Sequence, residues 1–128
     1  MTSETVLIGL PLPGGLLSPN HKAGSFGGRM QIMRAVKSYR NKAKAAAEEQ
    51  AVESGPWRRA TVAVSFFHRD KRRRDDVNHL ASLKPAYDGL VDAGLLEDDD
   101  SEHLTTAGCT FAIDKLAPRV ELLVTRVS

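Results

Sequence analysis

Two groups of acidic residues could bind a divalent cation. Asp75 and Asp76 form the first group, and the run from Glu97 to Asp100 forms the second. A basic run, 69–74, directly precedes the first group. Carboxylates are ligands that Mg²⁺ prefers, and basic side chains attract phosphates. This order of charges suits a polyanionic substrate handled through a bound cation. On charge alone, two separate solvated surfaces are the simpler interpretation.

The elements that must position these groups follow from the hydrophobic patterning and the turn residues. The pattern predicts α/β (α+β) architecture, with a small mixed sheet of about four strands and two main helices in a single domain, residues 1–128. A glycine-rich loop is expected from Gly14 to Gly28. The predicted strands are Thr5–Leu10, Ala60–Phe67, Cys109–Ile113 and Arg119–Val127, and the predicted helices are Arg29–Glu53 and about Asn78–Ala93.

The second predicted helix separates the two acidic groups. A helix of roughly 16 residues is about 24 Å long, so one straight helix cannot bring its own ends together. Pro85 should kink this helix or mark the first turn of its main part, and Gly94 stands where a left-handed cap is expected. The two groups can therefore meet only if the chain turns back, which spacing alone does not establish.

Composition narrows the class of protein. The chain has 128 residues, 41% hydrophobic and 27% charged, with a net charge of +2, values typical of a globular domain. Its apolar stretches are too short for a membrane span, and its N-terminus lacks the order of a signal peptide. The single cysteine, Cys109, is expected to be a buried strand residue in a reducing compartment. We therefore expect a cytoplasmic protein.

Other residue types are expected to be structural. The four histidines show no zinc-binding spacing and are interpreted as structural or surface residues. Trp57 follows Pro56 outside any helical stripe and is expected to fill the core or an interface. The first predicted helix carries many basic residues from Arg29 to Lys44, so it could form a second phosphate-binding surface or simply face solvent.

A set of residues in the second half of the chain resembles, in residue types and order, the motif of a known family. They are Arg73-Arg74-Asp75-Asp76-Val77-Asn78, then Lys84, then Asp88-Gly89-Leu90, Ala93-Gly94 and Asp98-Asp99. This order is similar to Arg-Arg-Asp-x-Asp-Asn, a helix lysine, Asp-x-Leu, Ala-Gly and Asp-Asp of the RusA family of Holliday-junction resolvases. Weaker similarities upstream are Leu10-Pro11-Leu12-Pro13, Leu17-Ser18-Pro19-Asn20 and Tyr39-Arg40.

The resemblance implies a metal-dependent endonuclease acting on four-way and other branched DNA junctions in recombination and repair. It implies Mg²⁺ or Mn²⁺ as cofactor and a homodimer, whose two-fold symmetry matches two symmetric cuts. The implied catalytic residues are Asp75, Asp76, Lys84 and Asp99. The implied metal ligands are Asp75, Asp76, Asp98 and Asp99. The implied DNA-binding residues are Arg69, Lys71, Arg72, Arg73, Arg74 and Asn78.

One position departs from the family pattern. Where the family has its second motif aspartate, this chain has Val77, and Asp76 stands one residue earlier. Either Asp76 replaces the missing carboxylate or the metal site is weakened, and we favour replacement. In an extended segment that replacement would require a bulge or a turn. A weakened site would leave a junction-binding protein without turnover. A basic interaction domain with no nucleic-acid specificity is a third possibility, but it leaves the order of the motif unexplained.

Overall fold

The computed structural model describes residues 4–18, 21, 23–50, 52–71 and 76–128, without the side chains of Asp76 and Val77. It has a mixed sheet of four strands with its main helices on one face, which confirms the predicted fold class. The elements, in chain order, are β1 (Thr5–Leu10), a 3₁₀ turn (Gly15–Leu17), α1 (Phe26–Glu49), β2 (Ala60–His68), α2 (Asp76–Ala81), α3 (Lys84–Asp92), β3 (Leu104–Ile113) and β4 (Arg119–Arg126).

The strand order in the sheet is β1-β4-β2-β3. β4 is antiparallel to both β1 and β2, whereas β2 and β3 are parallel. β1, β2 and β3 therefore point the same way, and their C-terminal ends lie at one end of the sheet. The predicted basic run begins where β2 leaves this end.

The core lies between the sheet and the helices. Alternate residues of β2, including Val62 and Phe66, are fully buried, and the residues between them are half-buried. β2 was expected to be buried on both sides; its second face is only half-buried because the helices cover one face of the sheet. On the open face, the paired residues Leu7 and Leu123 are 49% and 42% exposed. Trp57 is 1% exposed, which confirms its predicted place in the core.

α1 begins and ends earlier than the sequence pattern indicated. The Ser25 hydroxyl caps its first turn by accepting a hydrogen bond from the Gly28 N–H at 3.1 Å, so part of the predicted loop is helical. Tyr39, Ala43 and Ala47 recur every four residues and form its buried face. The Tyr39 hydroxyl donates to the Pro11 carbonyl at 2.8 Å, which fixes α1 to the end of β1.

The second predicted helix is two helices. α2 ends at Ala81, and α3 begins at Lys84 with Pro85 in its first turn. Proline lacks the N–H that a continuous helix would need there, whereas the first turn of a new helix leaves that group unpaired in any case. The expectation of one helix over about Asn78–Ala93 was therefore wrong, whereas the expectation that Pro85 marks the first turn of the main part is confirmed.

The remaining strands agree with the sequence except in length. β3 begins five residues before the expected start at Cys109, and β4 ends at Arg126 rather than Val127. Cys109 is half-buried rather than buried, because β3 is an edge strand. No helix among the described residues is both long and apolar enough to cross a membrane.

Candidate active site

Aromatic packing holds α2 near the C-terminal ends of β2 and β3. The His79 ring lies edge-on to Phe66 and Phe111, with ring centroids 5.1 and 5.3 Å away, and 5.2 Å from that of His68. His79 is three residues after Asp76, the first residue of α2. The first acidic group therefore ends in the opening turn of a helix that is packed on the sheet.

A glycine allows α3 to lie directly against α1. A Cβ atom added at Gly89 would lie 2.3 Å from the Arg40 carbonyl oxygen and 2.9 Å from the Ala43 Cβ. Any side chain at this position would collide with the α1 backbone. The close approach brings the Arg40 guanidinium onto the acidic side of α3, where its Nη2 donates to Asp92 Oδ1 at 2.8 Å.

The chain turns back after α3 because of two backbone features. Gly94 has a φ of 79°, the left-handed conformation that glycine adopts readily at a helix end. Leu95 and Leu96 are then buried, and they are fixed to Trp57 by two backbone hydrogen bonds, Trp57 N–H to the Leu95 carbonyl at 2.8 Å and Glu97 N–H to the Trp57 carbonyl at 3.0 Å. The acidic run that follows is thereby returned towards the start of α3.

This return brings Asp99 into contact with Lys84. Lys84 Nζ lies 2.6 Å from Asp99 Oδ2 and 2.9 Å from Asp88 Oδ1. The Asp99 side chain is only 8% exposed, whereas that of Lys84 is 62% exposed. Because Arg40 also lies 4.0 Å from Asp88, these charges form a continuous network that ends at Asp92. We call Lys84, Asp99, Asp88, Arg40 and Asp92 the inner network.

The inner network fixes the protonation of its lysine. The hydrogen bond to Asp99, followed by the one to Asp88, raises the pKa of Lys84 above its usual value. These hydrogen bonds favour the cationic form of Lys84, which suits charge stabilisation. The hydrogen bond from Arg40 holds the pKa of Asp92 below its usual range.

A second group, the outer cluster, lies beside the inner network and consists of Asp98, Asp100 and His103. Each residue offers a ligand atom, and these atoms lie within 4.8 Å of one another. His103 Nδ1 lies 2.6 Å from Asp100 Oδ1, and its Nε2 lies 3.8 Å from Glu97. The hydrogen bond to Asp100 raises the pKa of His103, and the same bond lowers the pKa of Asp100.

The donor set of the outer cluster fits a divalent metal ion. Two carboxylates suit a hard cation such as Mg²⁺ or Mn²⁺, and the imidazole would bind in its neutral form. Asp98 and Asp100 are exposed, however, and exposed acidic groups commonly lie together without an ion. Geometry alone therefore makes this cluster a group that could hold a metal, with no selectivity for a particular one.

The structure brings together only some of the residues that the sequence indicated. Lys84 and Asp99 meet, whereas the Asp98 carboxylate lies with the outer cluster. Arg69 and Lys71 are exposed just beyond β2, and Asn78 is half-buried in α2. Arg72, Arg73, Arg74 and Asp75 lie outside the described residues, as does the side chain of Asp76.

Sequence reasoning missed several members of both groups. Lys84, Asp88 and Asp92 are spaced by four, which places them on one side of α3, and this spacing could have indicated an ionic face. Asp100 and His103 are three apart, but a single such pair is a weak indication. The contribution of Arg40 had no local signal, since it depends on how closely α1 and α3 pack.

Comparison with known proteins identifies no family for this chain. No protein-family model matches the chain, and no curated protein matches it either. Only the residues and their arrangement therefore indicate a function.

Proposed function

We propose that this protein is a Mg²⁺- or Mn²⁺-dependent endonuclease that hydrolyses phosphodiester bonds in branched DNA, as the resemblance to RusA-like resolvases implies. The contact between Lys84 and Asp99, at 2.6 Å, is the observation that carries the proposal. These residues belong to separate parts of the motif, 15 residues apart. Their convergence is what a shared site requires. The spacing of Lys84 and Asp88, four residues apart on α3, would by itself indicate only a surface ion pair and does not account for the contact with Asp99.

The carboxylates proposed to hold the cation are Asp75, Asp76 and Asp99, with Asp98 as a further ligand. When bound, the ion would lower the pKa of a water molecule and neutralise charge on the phosphate. Lys84, already a cation, would stabilise the negative charge that develops on the phosphate. Its two carboxylate partners hold its ammonium group in position before substrate arrives.

Basic residues on two elements are proposed to bind the DNA backbone. Arg69 and Lys71, with Arg72, Arg73 and Arg74, follow β2, and Asn78 lies on α2. On α1, Arg34, Lys37 and Lys42 lie together on one exposed face, whereas Arg40 and Lys44 are paired with carboxylates. This face of α1 would provide a second set of phosphate contacts. The homodimer would match the two-fold symmetry of a junction.

The test is cleavage of a synthetic four-way junction in Mg²⁺ by the unaltered protein and by Asp75→Asn and Asp99→Asn. We expect both variants to lose cleavage, while Asp114→Asn, which neutralises a carboxylate paired with Arg119, keeps it. Linear duplex of the same sequence serves as the control substrate. Equal cutting by all the proteins, or equal cutting of both substrates, contradicts the proposal.

A junction-binding protein without turnover is the second candidate, and Val77 is the observation that favours it. Val77 and Asp76 both lie in the first turn of α2 rather than in an extended segment. Neighbouring helix positions are about 100° apart, whereas neighbouring strand positions point to opposite faces. The helical backbone therefore removes the need for the bulge or turn that replacement by Asp76 would have required. Binding without cutting by the unaltered protein would identify the second candidate. Val77→Asp should then raise cleavage sharply if the missing carboxylate is the cause, and no gain would contradict that explanation.

A further inference from the structure

β3 is unusual among the four strands in its exposure. All ten of its residues are uncharged and none is proline, and only Leu104 is buried and only Cys109 half-buried. Phe111 and Ile113 are 37% and 44% exposed, although both are large and apolar. Phe111 packs against the rings of Phe66 and His79 on one face of the strand, so the exposed parts of β3 are its outer edge and its opposite face.

The two edge strands of the sheet, β1 and β3, differ in length and in how far other residues cover them. β1 is six residues long, and the side chain of Gln50, directly after α1, reaches its edge, where Nε2 donates to the Leu7 carbonyl at 3.1 Å. β3 is ten residues long, with one register irregularity at Ala107, and in the sheet formed by the described residues no strand lies outside it. A long, uncharged edge is a template for pairing with another strand, and soluble proteins usually protect such edges with lysine, proline or a covering element.

We propose that β3 pairs antiparallel with β3 of a second copy of this chain, so that the sheet continues across a two-fold axis. An antiparallel pair of identical strands is self-complementary, as a two-fold interface requires. Pairing along the whole strand would supply at most about ten backbone hydrogen bonds, and fewer where the register of β3 shifts at Ala107, which is within the range of a typical protein interface. This proposal gives a location to the homodimer within the proposed function.

Charges beyond the two ends of β3 favour a second copy over an unrelated strand. Glu102 lies two residues before β3 and Lys115 lies two residues after it, and both are exposed. Antiparallel overlap of the full strands brings Glu102 of each copy beside the end that carries Lys115 of the other. Opposite charges then meet at both ends of the paired strands, while the neutral middle contributes no repulsion.

The experiment measures the mass of the protein in solution, without DNA or metal, over a dilution series. The chain has a mass of 13.9 kDa, so the proposal predicts twice 13.9 kDa for the unaltered protein. The double variant Thr106→Lys with Ala112→Lys places four ammonium groups along the paired strands and should give 13.9 kDa. The matched control, Thr5→Lys with Gly9→Lys, adds the same charge to β1 and should remain a dimer.

A monomeric unaltered protein, a monomeric control or a dimeric Thr106→Lys, Ala112→Lys variant would each overturn the proposal. Amide hydrogen exchange of the unaltered protein provides a measurement that does not depend on how the variants fold. Amides of β3 should exchange as slowly as those of the central strand β2, and fast exchange along β3 would overturn the interface. If the protein is a monomer that cleaves junctions, the interface proposal fails and the nuclease proposal stands. If the protein is a dimer that cuts no DNA, the nuclease proposal fails and the interface proposal stands.

Discussion

Asp98 and Asp99 are neighbours in sequence, yet they belong to different environments. Asp99 is 8% exposed and meets the fixed charge of Lys84, whereas Asp98 is exposed and lies with Asp100 and the titratable His103. The difference arises because the chain returns along α3, so that successive side chains of one short loop have different neighbours. Adjacent acids in a motif therefore need not share one role, and the inner network and the outer cluster can be tested separately.

The largest expected effect comes from comparing Asp99→Asn with Asp98→Asn in junction cleavage. Asp99→Asn should lower the cleavage rate roughly 100-fold or more, because it removes a proposed metal ligand and the nearest carboxylate partner of Lys84. Asp98→Asn should have a smaller effect, because its carboxylate lies with the outer cluster. Rates would be measured under single-turnover conditions. Equal losses would show that the inner and outer environments do not differ in function.

Lys84→Gln should have the next largest effect. It removes the cation that contacts Asp99 and Asp88, and we expect the cleavage rate to fall roughly 10- to 100-fold with folding retained. Lys84→Arg keeps the charge and should recover part of the rate. An unchanged cleavage rate in Lys84→Gln would show that Lys84 only forms exposed ion pairs, each of which contributes well under about 1 kcal/mol to stability.

Gly89→Ala tests whether the packing of α1 on α3 supports the inner network. The added methyl group would lie 2.3 Å from a carbonyl oxygen of the α1 backbone, so the helices must separate. We expect a loss of about 1–3 kcal/mol in the free energy of unfolding, measured by urea denaturation. Gly9→Ala is the control, because a Cβ atom there has no neighbour within 4 Å. Similar stability in the two variants would contradict the close approach.

The smallest expected effect concerns acid stability. Because Arg40 lowers the pKa of Asp92, the folded state binds this proton less readily than the unfolded chain does. The resulting stabilisation is present above the usual carboxyl pKa of 3.8 and is lost as the pH falls through the lower pKa of the folded state. Asp92→Asn should therefore flatten the acid limb of a melting temperature against pH curve. An unchanged limb would show that this ion pair contributes nothing to stability.

The sequence predicted the elements better than it predicted the site. Three of the four strands were placed within one residue at each end, because strand alternation and bounding prolines are local features. The break between α2 and α3 was less certain, since Pro85 permits either a kink or a new helix. The meeting of Asp99 with Lys84 depends on Gly94, on buried leucines and on Trp57, contacts that no spacing rule encodes.

The way the acidic loop is attached to the sheet has a consequence for how its chemistry can vary. Gly55 faces the backbone of Gly94 so closely that a Cβ atom would lie 2.5 Å from the Gly94 carbonyl oxygen. Main-chain groups of Trp57 hold the next residues in place. None of these attachments uses an acidic side chain, whereas further along the loop Asp100 Oδ1 accepts from the Glu102 and His103 N–H groups at 3.0 and 3.1 Å. Exchange of Glu97 should therefore leave the entry to the loop unchanged, provided that both glycines are retained, whereas exchange of Asp100 would remove bonds that shape its far end.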